Sequence, residues 1–171
     1  NNFFVYKNLK VGKSLVEKDT KDIIKNIYKK AKESGCKIFI PEDCVVGINF
    51  EGEGINKNFN DINNDEIILD IGKNTVKNII KIIDQSNTIL WNGPAGYFEN
   101  DNFLKGTLSI AENISKNTIE KSLISVIGGG DTLAAINKNK SKLSFSHLST
   151  AGGAFLEYLE GKDLPGISVL K

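Results

Sequence analysis

The residues best placed to do chemistry lie in three short glycine-rich stretches, and residues 125–135, Ser-Val-Ile-Gly-Gly-Gly-Asp-Thr-Leu-Ala-Ala, change character most abruptly. A β-branched apolar run stops at Gly128, Gly129 and Gly130, and Asp131 and Thr132 open a helix. Glycine allows a sharp turn and a close approach to a ligand with no Cβ in the way. A helix start presents unpaired N–H groups and a partial positive charge, which suit an anion. A carboxylate there repels bare phosphate, so Asp131 points to a metal ion that bridges phosphate oxygens, and the implied ligand is a Mg²⁺-bound polyphosphate. Taken alone, the motif reads equally well as a glycine turn with Asp131 as a plain N-cap. No GxxxxGK[ST] is present, and position 133 is Leu where a GxGxxG fingerprint from Gly128 needs glycine, which argues against a P-loop enzyme and against a dinucleotide-dependent oxidoreductase.

The other two stretches are Asn92-Gly93-Pro94-Ala95-Gly96 and Ala151-Gly152-Gly153. No Ser-His-Asp or Cys-His arrangement accompanies them. His147 is the only histidine and, between Phe145 and Leu148, is expected to be structural. Trp91 is expected to anchor its turn by packing. Cys36 and Cys44 have no histidine near them, and read as buried or free thiols of a reducing compartment.

Positioning these loops requires strands that end at them. Apolar runs predict strands over 36–40, 66–71, 88–91, 123–127 and 145–149. Apolar residues at helical spacing predict helices over 19–34, with Ile23, Ile24, Ile27, Tyr28 and Ala31 on one face, and over 75–85. Further helices are predicted through Phe103, Leu104, Thr107, Leu108, Ala111 and Ile114, after Asp131, and over 154–160. Residues 47–64 read as an exposed loop or short hairpin. Strands alternating with such helices imply an α/β fold, a Rossmann-like parallel sheet with helices on both faces in three layers. In such a sheet the carboxyl ends of the strands share one edge, so the loops at Asn92, Gly128 and Gly152 are expected to meet in one crevice.

At 171 residues the chain has the size of one domain. Its 22 basic and 21 acidic side chains leave a net charge of +1, too weak a field to call for nucleic acid or an anionic membrane. No apolar run approaches the roughly 18 residues of a membrane span, and no leader pattern opens the chain. The chain contains no methionine, so residue 1 is not expected to be a native start.

The stretches Trp91-Asn-Gly-Pro-Ala-Gly-Tyr-Phe-Glu99, Gly128-Gly-Gly-Asp-Thr132 and Phe145-Ser-His-Leu-Ser-Thr-Ala-Gly-Gly-Ala154, followed by Leu-Glu-Gly-Lys-Asp-Leu-Pro-Gly166, together resemble the C-terminal, nucleotide-binding half of phosphoglycerate kinase. Gly12-Lys-Ser-Leu-Val-Glu17, Pro41-Glu-Asp43 and Leu69-Asp-Ile-Gly72 fall at the family's intervals, and the likeness runs from about residue 2 to 170. The resemblance implies a glycolytic phosphotransferase that moves a phosphoryl group between 1,3-bisphosphoglycerate and Mg-ADP, giving 3-phosphoglycerate and ATP. It implies ATP or ADP and Mg²⁺ as cofactors, a cytoplasmic setting and a monomeric parent. Asn92, Gly93 and Pro94 would lie near the nucleotide phosphates, Tyr97 against the adenine, and Glu99 would accept from the ribose hydroxyls. Gly129, Gly130, Asp131 and Thr132 would hold the phosphates, with Asp131 as the metal ligand. Gly152 and Gly153, the catalytic pair, would open the helix that faces the transferring group, and Ser149 and Thr150 would lie in a hinge. Phosphoryl transfer asks a protein for positioning and charge stabilisation, so the lack of a side-chain nucleophile fits.

Ala151 stands where the family most often has the first of three glycines, a small change unless positive φ is required. Nothing in residues 1–171 resembles the family's N-terminal domain, which holds 3-phosphoglycerate with a basic patch and a catalytic arginine. Nor is there a counterpart of the nucleotide domain's opening strand and helix. The chain is therefore expected to be a partial nucleotide-binding domain, inactive alone. The alternative expectation is a truncated, non-catalytic nucleotide-binding or interaction module.

Overall fold

The computed structural model describes residues 1–139 and 141–170. The N-terminal half opens with helices α1 (Asn2–Tyr6) and α2 (Lys21–Glu33). Strands β1 (Asp43–Gly47), β2 (Ile55–Asn58) and β3 (Ile67–Ile71) follow, then helix α3 (Lys73–Asp84). The C-terminal half runs through β4 (Thr88–Asn92), α4 (Lys105–Glu120), β5 (Ile124–Gly128), α5 (Gly130–Asn137), β6 (His147–Ser149), α6 (Gly152–Leu159) and α7 (Pro165–Ser168).

The α/β class and the parallel sheet are as the alternation predicts, but only the second half is parallel. Strands β4, β5 and β6 form a three-stranded sheet in that order, parallel throughout. The first half forms a separate sheet, β2-β1-β3, and both of its pairings are antiparallel. The predicted strand over 36–40 is absent: the run Lys37–Ile40 has no ladder neighbour, and β1 begins after Pro41 instead. An apolar run supplies the side chains of a strand, whereas the strand itself exists only where another backbone pairs with it. The predicted loop over 47–64 contains β2, so the hairpin half of that expectation is the correct one.

One face of the parallel sheet is dry. Alternate residues of β4 and β5, namely Ile89, Trp91 and Ile127, point into a cluster with Ile83 of α3 and Ile110 and Ile114 of α4. Helix α4 buries Thr107, Ile110, Ala111 and Ile114, the i, i+3, i+4, i+7 stripe that a helix presents to a core. On the opposite face Phe155 of α6 lies against Gly128, while Leu90 and Ile124 are 47% and 54% exposed. A smaller core joins Phe4, whose ring centroid is 4.2 Å from that of Phe59, to Cys44, Val46 and Ile62. Helix α2 buries only Ile24 of its predicted apolar face, leaving Ile23 and Ile27 exposed. Both cysteines are free; burial, with Asp43 and Glu66 adding to it, pushes the Cys44 thiol up to about 12.

Candidate nucleotide site

The register of the parallel sheet sets Asn92, Gly128 and Ser149 side by side at the carboxyl ends of three adjacent strands. The turns that follow them touch. Gly129 takes φ +95°, and a Cβ there would collide with Asn92 Oδ1; a Cβ on Gly152 would lie 2.9 Å from Gly129 Cα. Gly129 N donates to Ser149 O at 3.1 Å, and Gly93 N donates to Thr132 Oγ1 at 2.8 Å. Asn92, Gly93, Gly129, Thr132 and Gly152 are thus brought together in one corner, through bonds and contacts that leave no room for larger residues at Gly129.

The helices that start there differ from their neighbours in one respect. At α3 the Asp43 carboxylate accepts from Asn74 N and Thr75 N, and at α4 the Asp70 carboxylate accepts from Gly106 N. Among the described residues no side-chain oxygen accepts from the first-turn amides of α5 or α6. The amides of Gly130, Asp131 and Gly153 have no partner within their own helices either, while Gly152 N donates to Thr150 O at 3.1 Å. The Cβ positions of Gly130 and Gly153 face open space, with nothing within 4 Å. Two uncapped helix starts around one open corner suit a polyphosphate. Helix α6 begins at Gly152, two residues before the predicted start, so Gly152 and Gly153 are its first residues. Ala151 has φ −85°, which alanine adopts freely, so its departure from glycine costs nothing in backbone strain.

Asp131 is exposed in the first turn of α5. No group of three or more side chains that could hold a metal ion occurs among the described residues, and Asp131 stands alone as the carboxylate at this helix start. Thr132 is fully buried and its hydroxyl oxygen is occupied by Gly93 N–H. Pro94 and Tyr97 line a mostly apolar cavity of about 710 Å³, which Leu69, Asp70 and Ile71 also line. Glu99 lies in an adjoining polar recess with Tyr97, Asp101 and Lys138. His147, expected to be structural, is exposed on β6. Trp91 does anchor its turn, donating from Nε1 to Gly93 O at 2.7 Å.

Several supporting residues escaped the sequence reading. Thr107 Oγ1 accepts from Ala95 N at 2.9 Å and Gly96 N at 3.4 Å. Lys138, just past the end of α5, donates to Phe98 O and Glu99 O at 2.8 and 3.2 Å and pairs with Asp101 at 3.0 Å. Asn100 Nδ2 reaches Phe50 O at 2.9 Å. Asp70 carries a sequence signal, an acid inside the apolar run Ile-Ile-Leu-Asp-Ile. It is 2% exposed, and burial pushes its carboxyl up to about 6 although Gly106 N and Ile71 N both donate to it. Asp43 moves the other way: burial raises it, but bonds from Thr75, Asn74 and Asn56 outweigh that and hold it below the ordinary range.

The phosphoglycerate kinase family profile matches residues 1–162. The chain is 44% identical to a phosphoglycerate kinase of Xanthobacter autotrophicus and 43% identical to one of Zymomonas mobilis, in each case over all of the chain and 44% of the relative. Among solved structures, the phosphoglycerate kinase of Coxiella burnetii superposes with a TM-score of 0.89 at 39% identity, covering all of the chain and 44% of that protein. That of Pyrococcus horikoshii gives 0.73 at 27% identity, with 99% of the chain and 42% of that protein covered. The chain therefore spans less than half the length of the relatives it matches. A profile that extends across the loops at Asn92, Gly128 and Gly152, on a fold that superposes over the whole chain, settles the kinship: the chain belongs to the phosphoglycerate kinase family.

Proposed function

We propose that residues 1–171 form part of the nucleotide-binding, C-terminal half of a cytoplasmic, monomeric glycolytic kinase. That enzyme would transfer a phosphoryl group between 1,3-bisphosphoglycerate and Mg-ADP, giving 3-phosphoglycerate and ATP. The observation that carries the reading is the pair of uncapped helix starts, α5 and α6, facing one corner with Asn92, while α3 and α4 have their first-turn amides occupied by carboxylates.

In this reading the first-turn amides of α5, with Gly129 and Gly130 keeping side chains out of the way, donate to the nucleotide phosphates. Asn92, Gly93 and Pro94 close the corner from the β4 side. Asp131 is the carboxylate that would hold Mg²⁺, and the ion would supply neutralisation of the phosphates' charge. Gly152 and Gly153 present the start of α6 to the transferring group, where N–H donors and the helix dipole stabilise developing charge with no reorganisation. The adenine would lie in the apolar cavity against Tyr97 and Pro94, and Glu99 would accept from the ribose hydroxyls. The acyl phosphate would be held by a domain outside these residues, so the chain alone binds nucleotide and does not turn over.

Calorimetric titration with ADP, with and without Mg²⁺, tests the reading. Binding that strengthens with Mg²⁺ is expected; a chain folded by circular dichroism that takes up no ADP under either condition overturns it. A non-catalytic interaction module is the second reading, favoured by the half-exposed Leu90 and Ile124 on the sheet. Adding a relative's N-terminal half in trans separates the two, since restored ATP formation belongs only to the first.

A further inference from the structure

Two carboxylates are almost wholly buried, Asp43 at 1% and Asp70 at 2% exposed, and each is seated where a facing residue can only be glycine. Asp43 fills the space beside Gly72 and bonds to Asn56, Asn74 and Thr75, none of which belongs to the nucleotide site. Asp70 has different company. Its Oδ1 accepts from Ile71 N and its Oδ2 from Gly106 N, both at 2.8 Å. A Cβ on Gly96 would lie 2.5 Å from Oδ1, and one on Gly106 would also collide with the carboxylate. The carboxylate therefore fills a space bounded by β3, the first turn of α4 and the loop that carries Pro94 and Tyr97.

That loop is held from the same two sides. Tyr97 N donates to Leu69 O, the residue before Asp70, at 2.7 Å. Thr107, the residue after Gly106, accepts from Ala95 N and Gly96 N. Whatever fixes the height of the first turn of α4 against the end of β3 thus fixes where Pro94 and Tyr97 sit. Asn cannot replace the carboxylate in this role, because its single acceptor serves one N–H and its amide group meets the other, donor to donor.

We propose that Asp70 is a positioning residue of the nucleotide site: its carboxylate locks the start of α4 to β3 behind Gly96 and so sets the Pro94–Tyr97 wall against which the base packs. The inference rests on the nucleotide reading above. It assigns Asp70 no contact with the ligand.

Calorimetric titration of the full chain with ADP and Mg²⁺, paired with thermal melts, separates this role from a structural one. Asp43→Asn is the matched control, a buried helix-capping carboxylate outside the site; it should lower Tm while ADP affinity stays within about two-fold of the starting chain. Asp70→Asn should lower Tm and also weaken ADP binding by about ten-fold. Thr107→Val, which cuts the second link and keeps the carboxylate, should weaken ADP binding as well. Unchanged ADP affinity in a folded Asp70→Asn chain overturns the proposal, as does an equal loss in Asp43→Asn. If Asp70→Asn does not fold, Thr107→Val decides, and wild-type affinity there overturns the proposal. A starting chain that binds no ADP removes the nucleotide reading and this inference with it, an outcome distinct from a loss seen in the variants alone.

Discussion

At Gly129 the backbone takes φ +95° and ψ +134° between β5 and α5, and Asn92 Oδ1 fills the space a side chain would need. Gly129→Ala adds a Cβ in a conformation that is nearly exclusive to glycine and drives it into the neighbouring loop. The expected loss is on the order of 1–3 kcal/mol of folding stability, read by urea denaturation, together with ADP binding. A stable variant with full ADP affinity would show that the turn has room the structure does not display. Asp131 makes the opposite case. It is exposed, so Asp131→Ala should change stability by less than about 1 kcal/mol, the worth of an acid in a helix's first turn. Its ADP affinity in Mg²⁺ should fall to the value measured without the metal, and a preserved Mg²⁺ effect would take Asp131 out of the metal role.

Among the elements, α3 and α4 are started by buried carboxylates that titrate in opposite senses. The Asp70 carboxyl sits at about 6 in the fold against an ordinary 3.8, so between those values the unfolded chain has released its proton while the fold has not. Stability from this group is therefore present at low pH and falls as pH rises through that window, by roughly 3 kcal/mol at most. Asp43 is held below its ordinary value, so its contribution is present above that value and is lost as pH falls. The stability gap between the starting chain and Asp70→Asn should accordingly shrink as pH rises from about 3.8 to about 6, measured by urea denaturation. A gap that does not change with pH would contradict the raised Asp70 carboxyl. None of this was legible in the sequence beyond the oddity of one acid in an apolar strand, because Asp70 and Gly106 are 36 residues apart and meet only through the tertiary fold. The three glycine turns were legible, since each follows an apolar run, and those at Gly128 and Gly152 open a helix at once. The antiparallel β2-β1-β3 sheet was not: β1 and β2 are joined with no helix between them, and β3, although a helix separates it from β4, pairs back with β1, so the parallel pairing that alternation predicts holds only for β4, β5 and β6.

Taken as a whole, the molecule places its larger core directly beneath the site. Ile127 is fully buried in that core, and the next residue, Gly128, begins the turn that carries the phosphate corner. Ile127→Ala should cost roughly 2–5 kcal/mol, read by urea denaturation, and a loss well below that would mean the core collapses around the gap. The convergence of the three loops followed from strand order once the sheet was parallel there; the links that hold them, through Thr132, Thr107 and Lys138, bridge distant parts of the chain and left no local trace. If the three loops form one nucleotide site within this chain, Mg-ADP must touch all of them at once. At 18.8 kDa the chain suits backbone-amide NMR, and a titration with Mg-ADP reads each loop separately. Shifts that move together at Gly93, Gly130, Asp131 and Gly153, with one saturation curve, are the predicted result. Shifts confined to one loop, or absent from all four residues in a folded chain, would contradict it.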